Sequence, residues 1–314
     1  MPEAPVRPPA GEGPPAPGRD DEDGLPDERR CPPLWPPPFV CAFGDDAYGL
    51  WIDVEISGVV QRFRWIEPGE FSMGSPDNET ERSDGEGPRH RVRLTAGFWL
   101  ADTACTQQLW QAVMGSNPSR FQDEAQNPVE NVSWDDVQDF LGGVRSSVPG
   151  VTADLPSEAE WEYACRAGSE TPFSTGPTID TAQANFDGNY PYAGGERGID
   201  RERTVPVKSF APNAWGLYEM HGNVWEWCAD GMREYTDETV DDPRGPEGAG
   251  DWRVVRGGSW GRGAGGLRSA TRCRWRRGER LDLRGFRLSL RSIAAERAPG
   301  AERLAQRAPV ERDA

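Results

Sequence analysis

Arginine returns at Arg268, Arg272, Arg274 and Arg276, with Ala270 on the same parity, while Ser269, Thr271, Cys273, Trp275 and Arg277 take the alternate positions. Guanidinium groups at this density suit carboxylates and phosphates, which they grip through planar paired hydrogen bonds. Between Trp252 and Arg287 stand eleven arginines against two acids, Glu279 and Asp282, so the local charge opposes the formal −17 of the whole chain. Two fates are open to these cations: pairing with carboxylates elsewhere in an acidic protein, or holding an anionic ligand. If the segment is extended, alternate side chains project to opposite faces, one rich in arginine and one mixed. The mixed set, continuing through Glu279, Leu281, Asp282 and Leu283, is unlike a core and suits a displayed surface.

Thiol chemistry is the second possibility to weigh. The six cysteines, Cys31, Cys41, Cys105, Cys165, Cys228 and Cys273, include no CxxC pair and no zinc spacing. Cys105, Cys165 and Cys228 lie in apolar surroundings (ADTACTQ, EYACRAG, WEWCAD) and are expected to be buried free thiols. The overall negative charge argues against nucleic acid as a partner. No apolar run approaches a membrane span, and the N-terminal MPEAPVRPPAGEG lacks the basic and apolar regions of a signal peptide. The expectation is a cytoplasmic protein with no membrane partner.

The elements that must position these residues follow from local pattern. With 36% hydrophobic residues and 13 Trp the chain can build a real core, while 37 Gly and 29 Pro predict sparse regular structure and long loops, hence an irregular α+β domain. Residues 1–44 are a Pro/Gly-rich leader, read as a disordered linker able to tether an effector partner; residues 45–291 form the domain, and 292–314 a flexible tail. Two apolar runs flanking Ser57-Gly58 predict a hairpin. A polar acidic loop spans 76–88, and a strand is expected near His90 to Leu94. Thr106, Ser133 and Ser157 are expected to cap three helices; Gly115 and Gly168 end the first and third, Val137, Phe140, Leu141 and Val144 fall at helical spacing in the second, with Asp136 three residues after its cap, and Glu160 completes a capping box in the third.

LPSEAEWEYACRAG, PVKSFAPNAWGLYEMHGNVWEW, RVVRGGSW and the terminal GFRL, in this order, resemble the formylglycine-generating enzyme (sulfatase-modifying factor) superfamily over roughly residues 60–290. That resemblance implies a variant of the C-type lectin fold. The family's oxidase uses two cysteines spaced C-x4-C with copper and oxygen; counting from RSATR and Gly285-Phe286-Arg287 places those positions at Ala264 and Ser269, so no copper is expected. The related iron-dependent sulfoxide synthases rely on a histidine cluster, whereas this chain has only His90 and His221.

RGGSW, a mixed run, LRSATRCR and a second mixed run closing on GFRL look like the variable proteins of diversity-generating retroelements. In that subgroup a fixed lectin-type backbone carries side chains that retroelement mutagenesis changes. The resemblance implies a ligand-binding set at Gly261, Arg262, Gly263, Gly266, Thr271, Cys273, Trp275, Arg276, Glu279, Leu281, Asp282 and Leu283, with Trp275 as an anchor for a protein or peptide ligand. It also implies structural calcium, at Asn185, the Phe186 carbonyl and Asp200, and at Glu219, Gly222, Val224 and Glu226. Arg284 departs from the pattern, standing where the subgroup usually has an apolar residue.

Overall fold

The computed structural model describes residues 32, 37–246 and 250–292; the leader up to 31 and the tail beyond 292 lie outside the described residues. The hairpin expected at Ser57-Gly58 joins β2 (Gly49–Ile56) to β3 (Val59–Ile66), with Ile56 opposite Val59. Both turn residues have positive φ, 51° and 81°, the turn geometry that matches the twist of antiparallel strands. Ile52, Val54 and Ile56 alternate inward on β2 and are buried. The preceding β1 (Ala42–Asp46) pairs with β2 and starts three residues before the boundary expected at 45. Adding β6 (Phe98–Ala101), β7 (Val151–Asp154) and β13 (Ser289–Ser292) completes a six-stranded sheet in the order β1-β2-β3-β6-β13-β7.

A second sheet carries part of the arginine-rich segment. It runs β11 (Cys273–Arg276), β10 (Trp252–Arg256), β8 (Trp225–Trp227) and β12 (Arg284–Gly285), in that spatial order. A third, of β4 (Gly69–Met73), β5 (His90–Leu94) and β9 (Val240–Asp241), lies in the order β4-β5-β9. The strand expected near His90 is β5, whose alternating burial follows from Val92 and Leu94 facing the core.

The caps act as their sequences dictate. Thr106 Oγ1 accepts the Leu109 N–H ahead of α1 (Gln107–Met114), and Gly115 ends it in the left-handed region. Ser133 and Asp136 close a capping box on α2 (Trp134–Ser147), whose buried face is Val137, Phe140, Leu141 and Val144, as their spacing predicts. Ser157 and Glu160 do the same for α3 (Glu158–Arg166). α1 and α2 pack against the six-stranded sheet around a core in which Trp110 stacks on Phe140 and Phe286 meets both edge-on. α3 is buried along its whole length, charged residues included.

Candidate functional site

Carboxylates of the buried α3 and of elements around it take most of the arginines. Glu162 takes Arg166 at 2.9 Å and the buried Arg256. Glu158 takes Arg272 through both oxygens, at 2.6 and 2.7 Å. In the 76–88 loop, Glu79 and Glu86 hold Arg268, with Glu86 engaged twice, at 2.7 and 2.8 Å. Arg277 and Arg280 reach Asp135 and Asp136 on the first turn of α2, and Arg287 reaches Glu226. Burial pushes Glu86 and Glu162 toward the neutral form, yet the adjoining guanidiniums hold both below the usual carboxylate range. Most of the segment's arginines thus form a clamp that ties it to the scaffold. Arg262, Arg274 and Arg276 have no ion pair among the described residues.

The segment is not one extended ribbon. Gly257 and Gly258, at φ 92° and 76°, turn the chain out of β10, and a short 3-10 turn at Ala264–Leu267 buries Ala264 and Leu267 before β11 begins. The expected ligand set divides accordingly. Gly261, Arg262, Arg276 and Leu281 are exposed; Gly263, Gly266, Thr271, Glu279 and Asp282 are half-buried. Cys273, Trp275 and Leu283 pack against the main core. Trp275 is thus no exposed anchor: parity on β11 turns it inward, and Arg284 lies over its ring at 4.4 Å. Arg284 itself is buried between Trp275 and Trp227, its nitrogens without hydrogen-bond partners and its nearest acid, Glu279, at 3.7 Å.

One end of the segment opens into a cavity of about 620 Å³ walled by Arg262, Gly263, Gly266, Glu81, Asn189, Tyr190 and Arg197. Tyr190 is 67% exposed. Gly263 admits it closely, since a Cβ there would come within 2.7 Å of the Tyr190 Cβ. Asp187 N–H donates to the Arg262 carbonyl and Ala264 N–H to the Tyr190 carbonyl, both at 2.9 Å, so the 185–195 loop and the arginine-rich segment form one surface. Tyr190, Arg197 and Glu81 are absent from the set expected from sequence; the 185–195 loop carries three aromatics, Phe186, Tyr190 and Tyr192, and only burial separates the exposed Tyr190 from the other two.

The expected metal residues fall into different situations. Asn185 is buried; its Nδ2 donates to the Arg203 carbonyl at 2.8 Å and its Oδ1 has no partner, which fits an oxygen-seeking cation. Phe186 is buried beside it, and Asn185 bridges to Gly222. Asp200 accepts from the Glu202 N–H at 3.0 Å and from Asn189. Glu219 is buried and accepts from the Lys208 and Phe210 amides, and burial pushes its carboxyl up to about 7. Val224 is buried. Glu226 does not fit a cation: both oxygens are taken by Arg287, and Oε2 also accepts from Trp161 Nε1 at 2.7 Å.

At the positions where the family carries its thiol pair, Ala264 and Ser269 are buried. Cys165 Sγ lies 3.7 Å from Ser269 Oγ, and burial pushes this thiol up to about 12. His221 adjoins it, donating from Nδ1 to the Leu267 carbonyl at 2.7 Å and accepting from the Ser174 N–H at 3.0 Å; burial lowers it to about 4. The group is a closed neutral network. His90 sits elsewhere, between the Pro88 carbonyl and Arg233.

The irregular α+β scaffold, with its Gly-rich loop and edge strand held by ion pairs, is of the C-type-lectin-like fold class. The chain matches the sulfatase-modifying factor enzyme 1-like domain over residues 57–292 and belongs to that family. Formylglycine-generating enzyme of Streptomyces coelicolor is 31% identical, covering 61% of this chain and 76% of its own length. That of Thermomonospora curvata is 37% identical over 52% of this chain and 54% of its own length. A serine/threonine-protein kinase Pkn1 of Chlamydia trachomatis is 31% identical over 71% of this chain, which spans only 37% of it. Among solved structures, Treponema denticola variable protein 1 superposes with a TM-score of 0.65 at 26% identity, covering 76% of this chain and 98% of that one. PvdO from Pseudomonas aeruginosa gives 0.63 at 29% identity, covering 74% of this chain and 94% of that one.

Proposed function

We propose that the chain is a non-catalytic ligand-binding protein that presents residues 261–283 to a protein or peptide on a formylglycine-generating-enzyme-type scaffold. The observation that carries this reading is the cavity between Arg262 and Tyr190. In it two guanidiniums without ion-pair partners among the described residues, Arg262 and Arg197, adjoin an exposed aromatic ring, with Glu81 as the only carboxylate in the wall. Such a surface suits a ligand with an anionic group and an apolar face. The neighbouring ion-pair clamp keeps the backbone in place whatever side chains stand at Gly261, Arg262 or Leu281. Calcium at Asn185 and Phe186 would brace the loop that carries Tyr190.

The alternative is an oxidase of the formylglycine-generating type. Copper thiolate chemistry needs two ionisable sulfurs, and Ala264 and Ser269 supply none. Incubating the protein with copper, oxygen and a CxPxR peptide separates the readings by mass spectrometry. Unchanged peptide is the expected result, and an aldehyde formed at a catalytic rate would overturn the binding reading. Diversification of the surface is tested in the genome, where a reverse transcriptase and an adenine-rich near-copy of the segment encoding residues 261–283 are the expected neighbours.

A further inference from the structure

β11 is the outer strand of its sheet, and its ladder fixes which backbone groups point outward. Trp252 stands opposite Arg276, so Asp251 stands opposite Arg277, and the Arg277 N–H donates to the Asp251 carbonyl. This makes 251/277 a hydrogen-bonded pair. By the alternation of antiparallel ladders, Trp275 and Cys273 also bond to β10, while Arg274 and Arg276 turn their N–H and C=O groups away from it. Val254, opposite Arg274, shows the same parity: its N–H goes to Asp230 and its carbonyl receives Cys228, both on the far side. The Arg276 carbonyl is taken by the Glu279 N–H at 3.0 Å. The Arg274 N–H and carbonyl and the Arg276 N–H have no partner among the described residues.

The side chains on this edge select a partner by charge. Arg274 and Arg276 are exposed, lie over the exposed Trp252 ring at 5.4 and 5.3 Å, and have no ion pair among the described residues. Stacking on one indole holds two like charges on the same face of the strand. A second copy of this strand would bring arginine against arginine, which opposes self-pairing. An acidic strand would meet complementary charge and free backbone groups together. Resting on the reading that this segment binds a peptide, we infer that β11 is a docking edge for an acidic extended peptide, which adds as a strand beside Cys273–Arg276 and sets alternate carboxylates against Arg274 and Arg276.

The test uses the full chain and a fluorescent decapeptide of alternating Glu and Val, with fluorescence anisotropy for binding and hydrogen exchange at the Arg274 and Arg276 amides for geometry. The acidic peptide is expected to bind and to slow exchange at those amides. Its Lys-for-Glu counterpart should not bind, and Arg274→Glu with Arg276→Glu should weaken binding at least about tenfold. A gentler pair, Arg274→Ala with Arg276→Ala, checked by circular dichroism, covers the case in which charge reversal disturbs the fold. Absent binding by the folded protein, or binding without protection of these amides, would overturn the inference. Binding abolished by Arg262→Glu and untouched by the β11 variants would move the ligand to the cavity, overturning the docking edge while leaving the proposed function standing. Aldehyde formation in the CxPxR assay would instead remove that function.

Discussion

Arg287 grips Glu226 in the core with Nε on Oε2 and Nη2 on Oε1, both at 2.7 Å and both side chains buried. The remaining guanidinium donors go to the Tyr218 carbonyl at 2.8 Å and the Ala101 carbonyl at 3.1 Å, so the pair joins β8, β6 and the chain after β12. Removing one partner strands a buried charge. Arg287→Ala is expected to cost about 3–5 kcal/mol, and replacing both residues by methionine to recover part of that loss. Urea unfolding midpoints check both.

The display segment should divide by burial when it is mutated. Arg262→Ala and Leu281→Ala, on exposed side chains, are expected to change stability by no more than about 0.5 kcal/mol. Trp275→Ala removes a ring packed against the core and is expected to cost about 2 kcal/mol or more. Thermal melts of the three variants would decide whether the tolerant and structural positions have been divided correctly.

Stability should fall as pH rises from about 4.5 to about 7, in part because of Glu130. Burial pushes this carboxyl from 4.5 up to about 7, although one oxygen accepts the Arg120 and Phe121 amides and the other has no partner. Between those values the folded chain keeps a proton that the unfolded chain has released, so folding is favoured at the acidic end and weakened toward the alkaline end. Glu130→Gln keeps an acceptor for both amides and should lessen the dependence of the denaturation midpoint between pH 5 and about 7, leaving the part that Glu219 contributes.

Calcium is expected to raise the melting temperature through the Asn185 region. A ligand that binds only the folded chain, at a hundred times its dissociation constant, adds about 2.7 kcal/mol. Calcorimetric melts with calcium or with chelator should differ for the parent chain and coincide for Asn185→Ala. Equal melts for the parent chain would remove calcium from the account.

Much of the scaffold was legible because it depends on neighbours in sequence. The Ser-x-x-acid boxes at Ser133 and Ser157, the Thr106 cap and the Ser57-Gly58 turn satisfy backbone groups within a few residues, so their chemistry can be read without knowing the fold. The face of α2 was legible too, since Val137, Phe140, Leu141 and Val144 recur at helical spacing. The site was less legible. Alternation across residues 268–277 suggested one continuous strand, yet β11 spans only Cys273–Arg276 and the inward parity falls on Trp275.

What the sequence determined by itself was the family, the α+β class, the capped helices and the missing thiol pair at Ala264 and Ser269, because these rest on residue identity and local spacing. What only the tertiary structure decided was the fate of each charge. Arg268 and Arg274 look alike in sequence, but one meets Glu86, 182 positions away, and the other faces outward over Trp252. Coulombic attraction acts through space, so whether a guanidinium clamps the scaffold or awaits a partner depends on which carboxylates the fold brings within a few ångströms of it.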